Sequence, residues 1–334
     1  MKQLLVVTLI LAACTPVPNT ELNKIEVSTS SSSAVADTLL QIPDPLSIPS
    51  FSTMRLEGTD LTLEGIESEN SAYTRHAISY RSNGLKITGV LLIPKGDGPF
   101  PLLILNHGFI DPSVYTRGRG LKREQDYLAK KGYAVLHTDY RGHAGSDLSP
   151  MTEDVYDGNL EYAMDSANAI LAMREAKFPT IDTEHIGMMG HSLGGGVTQA
   201  VLTAKPDLVD VAVLYAPVSS NVFENFMRWR DLREEGDNTR ARFGTPETNP
   251  EFWNNLSPQS FVSKIQAPIL LVHGDQDADV PKEWSDRLAS ELKSAGKEIE
   301  YLELPGEKHE FIKKWPQCMK AVTEHFDRTL KPKI

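Results

Sequence analysis

The chain has 334 residues, 40% hydrophobic and 24% charged, enough for one large α/β domain or two smaller ones. Its net charge of −11 argues against a nucleic-acid partner, which would call for a basic face. The acidity does not by itself point to a cationic substrate, because it also serves solubility.

The chain opens on Lys2 and a short apolar run, Leu4 to Leu11, which leads into Leu11-Ala12-Ala13-Cys14. The run is too short to span a bilayer, and small residues suit a secretory cleavage site. The four residues resemble a bacterial lipobox. Residues 1–13 are therefore expected to be a lipoprotein signal peptide, with Cys14 lipidated and the protein held outside the cytoplasm on a membrane of the cell envelope. Cys318 would then have no disulfide partner in the mature chain. Residues 14–50 lack an apolar period and contain the run Ser28-Thr29-Ser30-Ser31-Ser32-Ser33. They read as a disordered tether with an end-to-end distance of roughly 30 Å. Phe51 to Asn70 reads as a partly ordered lead-in to a domain over 51–334.

From Tyr73 onward, strand and helix signals alternate. Arg75 to Tyr80 and Leu85 to Ile93 read as a hairpin around Ser82-Asn83-Gly84. Leu102 to Leu105, Tyr133 to Leu136, Ile186 to Met189, Val209 to Leu214, Ile269 to Val272 and Ile299 to Leu304 are apolar runs suited to strands buried on both faces. Helical patterns run over Arg123 to Lys131, Asp157 to Ala176, Val197 to Ala204, Lys282 to Ala295 and Pro316 to Leu330. Repeated β-then-α units predict an α/β fold, a mostly parallel sheet with helices on both faces. Ser219 to Ser263 interrupts the alternation with Phe223, Phe226, Trp229, Phe252 and Trp253 among many charges. Two readings stand: a small helical cap over the site, or a surface excursion whose aromatics pack on the domain.

Gly190-His191-Ser192-Leu193-Gly194 lies between a predicted strand and a predicted helix, the context in which this pattern raises a serine on a sharp turn. A serine hydroxyl needs a base to take its proton, and the base needs a third group to orient it. His309 follows the last strand and lies after both the serine and the acid candidates. Asp275, Asp277 and Asp279 share the loop after Ile269 to Val272. Asp275 suits a turn and Asp279 suits a helix cap. The oxyanion calls for two amides, expected from Leu193 and from Phe109 in the loop after Leu102 to Leu105. His191 lies in the elbow itself, near the substrate. Tyr140 and Arg141 are placed along the substrate, with a loop salt bridge as the alternative for Arg141.

These motifs together resemble the α/β-hydrolase superfamily over about Ala77 to Lys331, and most of all the catalytic domain of the prolyl oligopeptidase family and its dienelactone-hydrolase-like relatives. The resemblance rests on Asn106-His107-Gly108-Phe109, on the block from Asp139 to Ser146, on the elbow, and on His273-Gly274-x-x-Asp277-x-x-Val280-Pro281 followed by His309. It implies Asp277 as the acid, a serine hydrolase of ester or peptide bonds, and no metal or organic cofactor. The β-propeller that restricts prolyl oligopeptidases to short peptides has no counterpart of that length here. Peptidase activity is thus what kinship implies, while a carboxylesterase needs no extra machinery. The remote alternative is a non-catalytic surface binding protein on the same scaffold. Small esters or short peptides are the expected substrates.

Overall fold

A computed structural model describes residues 46–149, 157–231 and 234–331. The expected signal peptide, the lipidated Cys14 and the tether through residue 45 lie outside these residues. Nine strands are described: β1 Gly58–Glu69, β2 Tyr73–Ser82, β3 Leu85–Pro94, β4 Phe100–Asn106, β5 Ala134–Thr138, β6 Ile181–His191, β7 Val211–Tyr215, β8 Ile269–Gly274 and β9 Ile299–Leu304. The described helices are α1 Ile48–Thr53, α2 Lys122–Lys130, α3 Leu160–Ala176, α4 Leu193–Ala204, α5 Val222–Trp229, α6 Glu234–Phe243, α7 Pro250–Leu256, α8 Lys282–Ser294 and α9 Trp315–Leu330.

The strands form one sheet in the order β1-β2-β3-β5-β4-β6-β7-β8-β9. β1, β2, β3 and β5 pair antiparallel, and the pairs from β5-β4 to β8-β9 are parallel. The apolar runs are continuous because each strand feeds two cores. Leu102 and Ile104 enter one cluster, with α3 and α4, while Leu103 and Leu105 enter the other, with α2 and α9. Ile269 and Leu271 alternate with Leu270 and Val272 in the same way. The chain runs from β4 to β5 on one side, then crosses to β6 on the other. This is the switch point at which open parallel sheets leave a crevice beyond their carboxyl ends. Asn106 pairs with Gly190 across it, so the two loops that follow are neighbours.

The lead-in is more ordered than the sequence suggests. Leu46 and Ile48 are buried and Ser47 caps α1, so the fold begins inside the stretch read as tether. β1 is a strand of 12 residues on the sheet's edge. Three register shifts break its period of two and most of it faces solvent, which removes the alternation that marks a strand. α3 starts at Leu160 rather than Asp157, because its cap position, Asn159, has a left-handed φ of 70° and Asp157 sits ahead of it, accepting the Asn159 and Glu161 amides. The interval from Ser219 to Ser263 is largely helical, comprising α5, α6, α7 and a 3₁₀ turn. Phe226 and Trp253 join the main core cluster, while the end of α5 reaches the cavity described next.

Candidate active site

Ser192 stands between the last residue of β6 and the first of α4, with φ 55° and ψ −120°. A positive φ strains any residue with a Cβ, so the surroundings must hold it. The Ser192 amide donates to the Tyr215 carbonyl at 3.1 Å, and its own carbonyl accepts from Gly195 at 2.9 Å and Val218 at 3.0 Å. The tight crossing needs the flanking glycines. A Cβ on Gly190 would stand 2.0 Å from the Gly194 carbonyl oxygen, and one on Gly194 would stand 2.0 Å from that of Asn106. The serine is thereby raised at a helix N-terminus, where unsatisfied amides favour negative charge.

The acid and base come from the loops after β8 and β9. Asp277 accepts His309 Nδ1–H on Oδ2 at 2.7 Å, and the amides of Asp279 and Val280 on Oδ1, each at 2.9 Å. His273 Nε2 approaches the same Oδ2 to 3.2 Å, and the Asp277 side chain is inaccessible to solvent. Burial by itself raises the carboxyl's pKa. The donors from His273, His309 and Val280 outweigh it and hold the group well below the usual carboxylate range. With Nδ1 of His309 committed to Asp277, Nε2 is the ring atom left for proton transfer. His191 packs against His309 at 4.5 Å between centroids and donates from Nε2 to the His309 carbonyl at 3.2 Å. Burial, aided by His309 nearby, pushes the His191 pKa down to about 3, so this ring is neutral at pH 7.

Ser192, His309, His191, Leu193, Gly108 and Phe109 all border one cavity of about 740 Å³. Gly108 stands close to the nucleophile, since a Cβ there would lie 3.1 Å from Ser192 Cβ. The Leu193 amide opens α4 and has no carbonyl within its own helix to donate to. Potential metal-ligand atoms of Asp277, Asp279 and His309 lie within 4.8 Å of one another, but Asp277 and His309 already bond to each other.

Tyr140 and Arg141 require correction: neither borders the cavity. Tyr140 is fully buried and stacks on Tyr162 at 4.7 Å. Arg141 forms the salt-bridge alternative instead, donating to Asp165 at 2.7 and 3.0 Å and to Glu161. The asparagine and serine partners around Asp165 complete a buried polar network beneath the loop. Asp279 does not cap α8, whose cap position is Pro281; its side chain borders the cavity. Asp275 accepts the Gly306 amide and so ties the acid loop to the histidine loop. The sequence placed His273 in the motif of the acid but gave it no role; the structure sets its Nε2 3.2 Å from Asp277 Oδ2. Trp229, one of the aromatics of the candidate cap, lines the cavity, and so do residues without a sequence signal, Asn225 and Arg230 at the end of α5 and Arg119 to Glu124 beside α2. No local pattern marks these, because the tertiary fold brings them in.

The profile of the prolyl oligopeptidase family matches residues 120–332. The chain belongs to the prolyl oligopeptidase family. It is a serine hydrolase of that family, with its nucleophile candidate at the family's α/β-hydrolase elbow. It is 29% identical to the uncharacterized peptidase YtmA of Bacillus subtilis over 67% of this chain and 82% of that one. It is 27% identical to dipeptidyl aminopeptidase BIII of Pseudoxanthomonas mexicana, over 70% of this chain and 33% of that one. Esterase EstD of Thermotoga maritima is 27% identical over 63% of this chain and 54% of its own. Among solved structures, the acylaminoacyl peptidase of Pyrococcus horikoshii superposes with a TM-score of 0.63 at 26% identity, over 79% of this chain and 43% of that one. The chain thus spans most of YtmA but a third to about a half of these larger relatives of the prolyl oligopeptidase family.

Proposed function

We propose that this chain hydrolyses short acylated substrates, peptide amides or esters, through an acyl-enzyme on Ser192. The observation that carries the reading is that Ser192, Leu193, Phe109 and His309 border one cavity, with Asp277 buried behind His309 and bonded to its Nδ1 at 2.7 Å. Ser192 Oγ attacks the carbonyl carbon as His309 Nε2 takes its proton. Asp277 fixes the tautomer of His309 and balances the positive ring. The developing oxyanion receives the Leu193 and Phe109 amides. His309 then returns the proton to the departing amine or alcohol, and water activated by the same ring releases the acyl group. Ser192→Ala should abolish turnover and leave the thermal transition in place; hydrolysis at the wild-type rate by that variant refutes the assignment.

Kinship with dipeptidyl aminopeptidase BIII and the acylaminoacyl peptidase supports peptide substrates. A second reading, carboxylesterase, is favoured by the similarity to EstD and by the apolar wall of Phe109, Leu193, Val218 and Trp229, which suits an acyl chain. Parallel assays with p-nitrophenyl acyl esters and short peptide p-nitroanilides, using Ser192→Ala as the blank, separate the two. We also propose that Cys14 carries a lipid that holds the enzyme at an extracytoplasmic membrane surface. The support is Leu11-Ala12-Ala13-Cys14 after a short apolar run. An alkyne fatty acid should label the wild type and not Cys14→Ala.

A further inference from the structure

Two consecutive peptide units hold Asp277 by their N–H groups, and one distant side chain holds both units by their carbonyls. The Asp279 N–H and the Val280 N–H each reach Asp277 Oδ1 at 2.9 Å. The carbonyl that shares a peptide bond with the Asp279 N–H is that of Ala278, and Arg228 donates to it from Nη2 at 2.8 Å. The carbonyl that shares one with the Val280 N–H is that of Asp279, and Arg228 donates to it from Nε at 2.7 Å. Both peptides are trans, the described cis bond being Gly98–Pro99. In a trans peptide the C=O and N–H point in opposite directions, so a guanidinium that fixes the two oxygens also fixes the aim of the two N–H groups. Successive N–H groups that converge on one oxygen leave their carbonyls facing the same way and repelling each other. A planar, permanently charged fork relieves that repulsion and polarises each N–H toward the carboxylate. Arg228 belongs to α5, far in sequence from the loop it clamps. Its guanidinium lies 5.7 Å from the Trp229 ring centroid and 5.9 Å from that of Trp284, and these two rings limit where the fork can go. Among the described residues it forms no ion pair with a carboxylate, and its hydrogen bonds go to these two carbonyls.

We propose that Arg228 is a positioning residue of the triad: by clamping the Ala278–Asp279 and Asp279–Val280 peptides it aims both N–H groups at Asp277 Oδ1, and so presents Oδ2 to His309. The proposal rests on the reading of Asp277 as the triad acid. Arg228 is exposed, so water can take the place of the guanidinium on the two carbonyls and its variants should fold. Arg228→Met keeps the length of the side chain without a donor, and Arg228→Lys keeps the charge but replaces the fork by a single point. On a p-nitrophenyl ester, Arg228→Met should lose about tenfold in kcat with KM within about twofold, the lower end for hydrogen bonds made by a charged group because water replaces it. Arg228→Lys should fall between Met and the wild type. A double-variant cycle with Asp277→Asn tells aiming from mere support. With Arg228 present, the two aimed amides dictate which way the asparagine faces. In the Arg228→Met background that hold is loosened and the asparagine can turn its oxygen to His309 Nδ1, so Asp277→Asn should cost about tenfold less there than in the wild type. Thermal unfolding establishes that the variants fold; if Arg228→Met does not, Arg228→Lys carries the same cycle. Wild-type kcat in the Arg228 variant, or losses that simply multiply in the double variant, overturns the positioning role alone. Wild-type kcat in Asp277→Asn by itself overturns the triad reading and the proposal with it.

Discussion

Asp277→Asn is the sharpest perturbation of the triad because the structure dictates which way the new amide faces. Oδ1 of Asp277 is held by two backbone donors, the Asp279 and Val280 amides, both at 2.9 Å. An asparagine in that site must place its oxygen there, since an NH2 group would meet two N–H groups with no acceptor between them. Its nitrogen then takes the place of Oδ2, 2.7 Å from His309 Nδ1. To accept from that nitrogen, His309 must carry its proton on Nε2 instead, and an Nε2 that already holds a proton cannot take one from Ser192. Wrong-tautomer substitutions of this kind cost about four orders of magnitude in kcat, equivalent to about 5.4 kcal/mol at 1.36 kcal/mol per decade. The assay is kcat/KM on a p-nitrophenyl ester at pH 8 for the wild type, Asp277→Asn and Asp277→Ala. Alanine leaves His309 free to choose its tautomer, so it should do no worse than asparagine. If Asp277→Asn keeps more than about a tenth of wild-type activity, or exceeds Asp277→Ala by about 100-fold, the two backbone amides do not fix the carboxylate and the reasoning fails.

Three further outcomes follow from the buried polar groups and the tight turn. The unfolded chain protonates its histidines near pH 6.5, whereas native His107 and His191 stay neutral down to about 4 and about 3. Stability should therefore fall as pH drops below about 6.5, by up to about 1.4 kcal/mol per pH unit for each ring. Urea midpoints between pH 7 and 5 should show a shallower slope in His107→Asn, and an unchanged slope would exclude that ring as a contributor. Asp277 has the same sign of linkage in a lower window, since its depressed carboxyl contributes stability that is complete above about pH 4 and is lost progressively as pH falls from there through its lower folded value. Arg141→Met strands a buried Asp165 and should cost about 3–5 kcal/mol in denaturant unfolding while leaving KM unchanged; a raised KM at unchanged stability would return Arg141 to the substrate. Gly194→Ala forces a Cβ onto the Asn106 backbone and should destabilise by about 3 kcal/mol, whereas Gly196→Ala meets only a Val218 methyl at 2.7 Å and should change stability by about 1 kcal/mol or less. Equal melting temperatures for the two variants would contradict the packing described at the elbow.

The residues that can do the chemistry were legible because local grammar marks each of them. Ser192 is bracketed by glycines that a strand-to-helix turn demands, His309 and three aspartates lie in loops after apolar runs, with the family resemblance singling out Asp277 among them, and parallel strands deliver the ends of such runs to one edge. β1 was not legible, because an edge strand with bulges and a wet face has no alternation to display. Nor was the start of α4, since Gly194, Gly195 and Gly196 have poor helix propensity and stand there because the close packing leaves no room for a Cβ. Tyr140 and Arg141 were misplaced for a related reason. Their loop does end on the catalytic edge, yet the buried Asp165 draws the guanidinium inward, and no spacing in the sequence connects positions 141 and 165.

Selectivity is less legible than chemistry because its parts come from faces of elements that look alike. α5 sends Phe226 into the core and, three residues on, Trp229 to the cavity. Both are aromatic, and only the seating of the helix tells them apart. That seating is not independent of the triad. Arg228, between them, donates to the carbonyls of Ala278 at 2.8 Å and Asp279 at 2.7 Å, in the loop whose amides hold Asp277. Trp229 packs edge-on against Trp284 of α8 at 5.8 Å, just beyond the same loop. The cavity wall and the loop that holds Asp277 thus share a support. A displacement of α5 would therefore act on the backbone next to Asp277 as well as on the cavity wall.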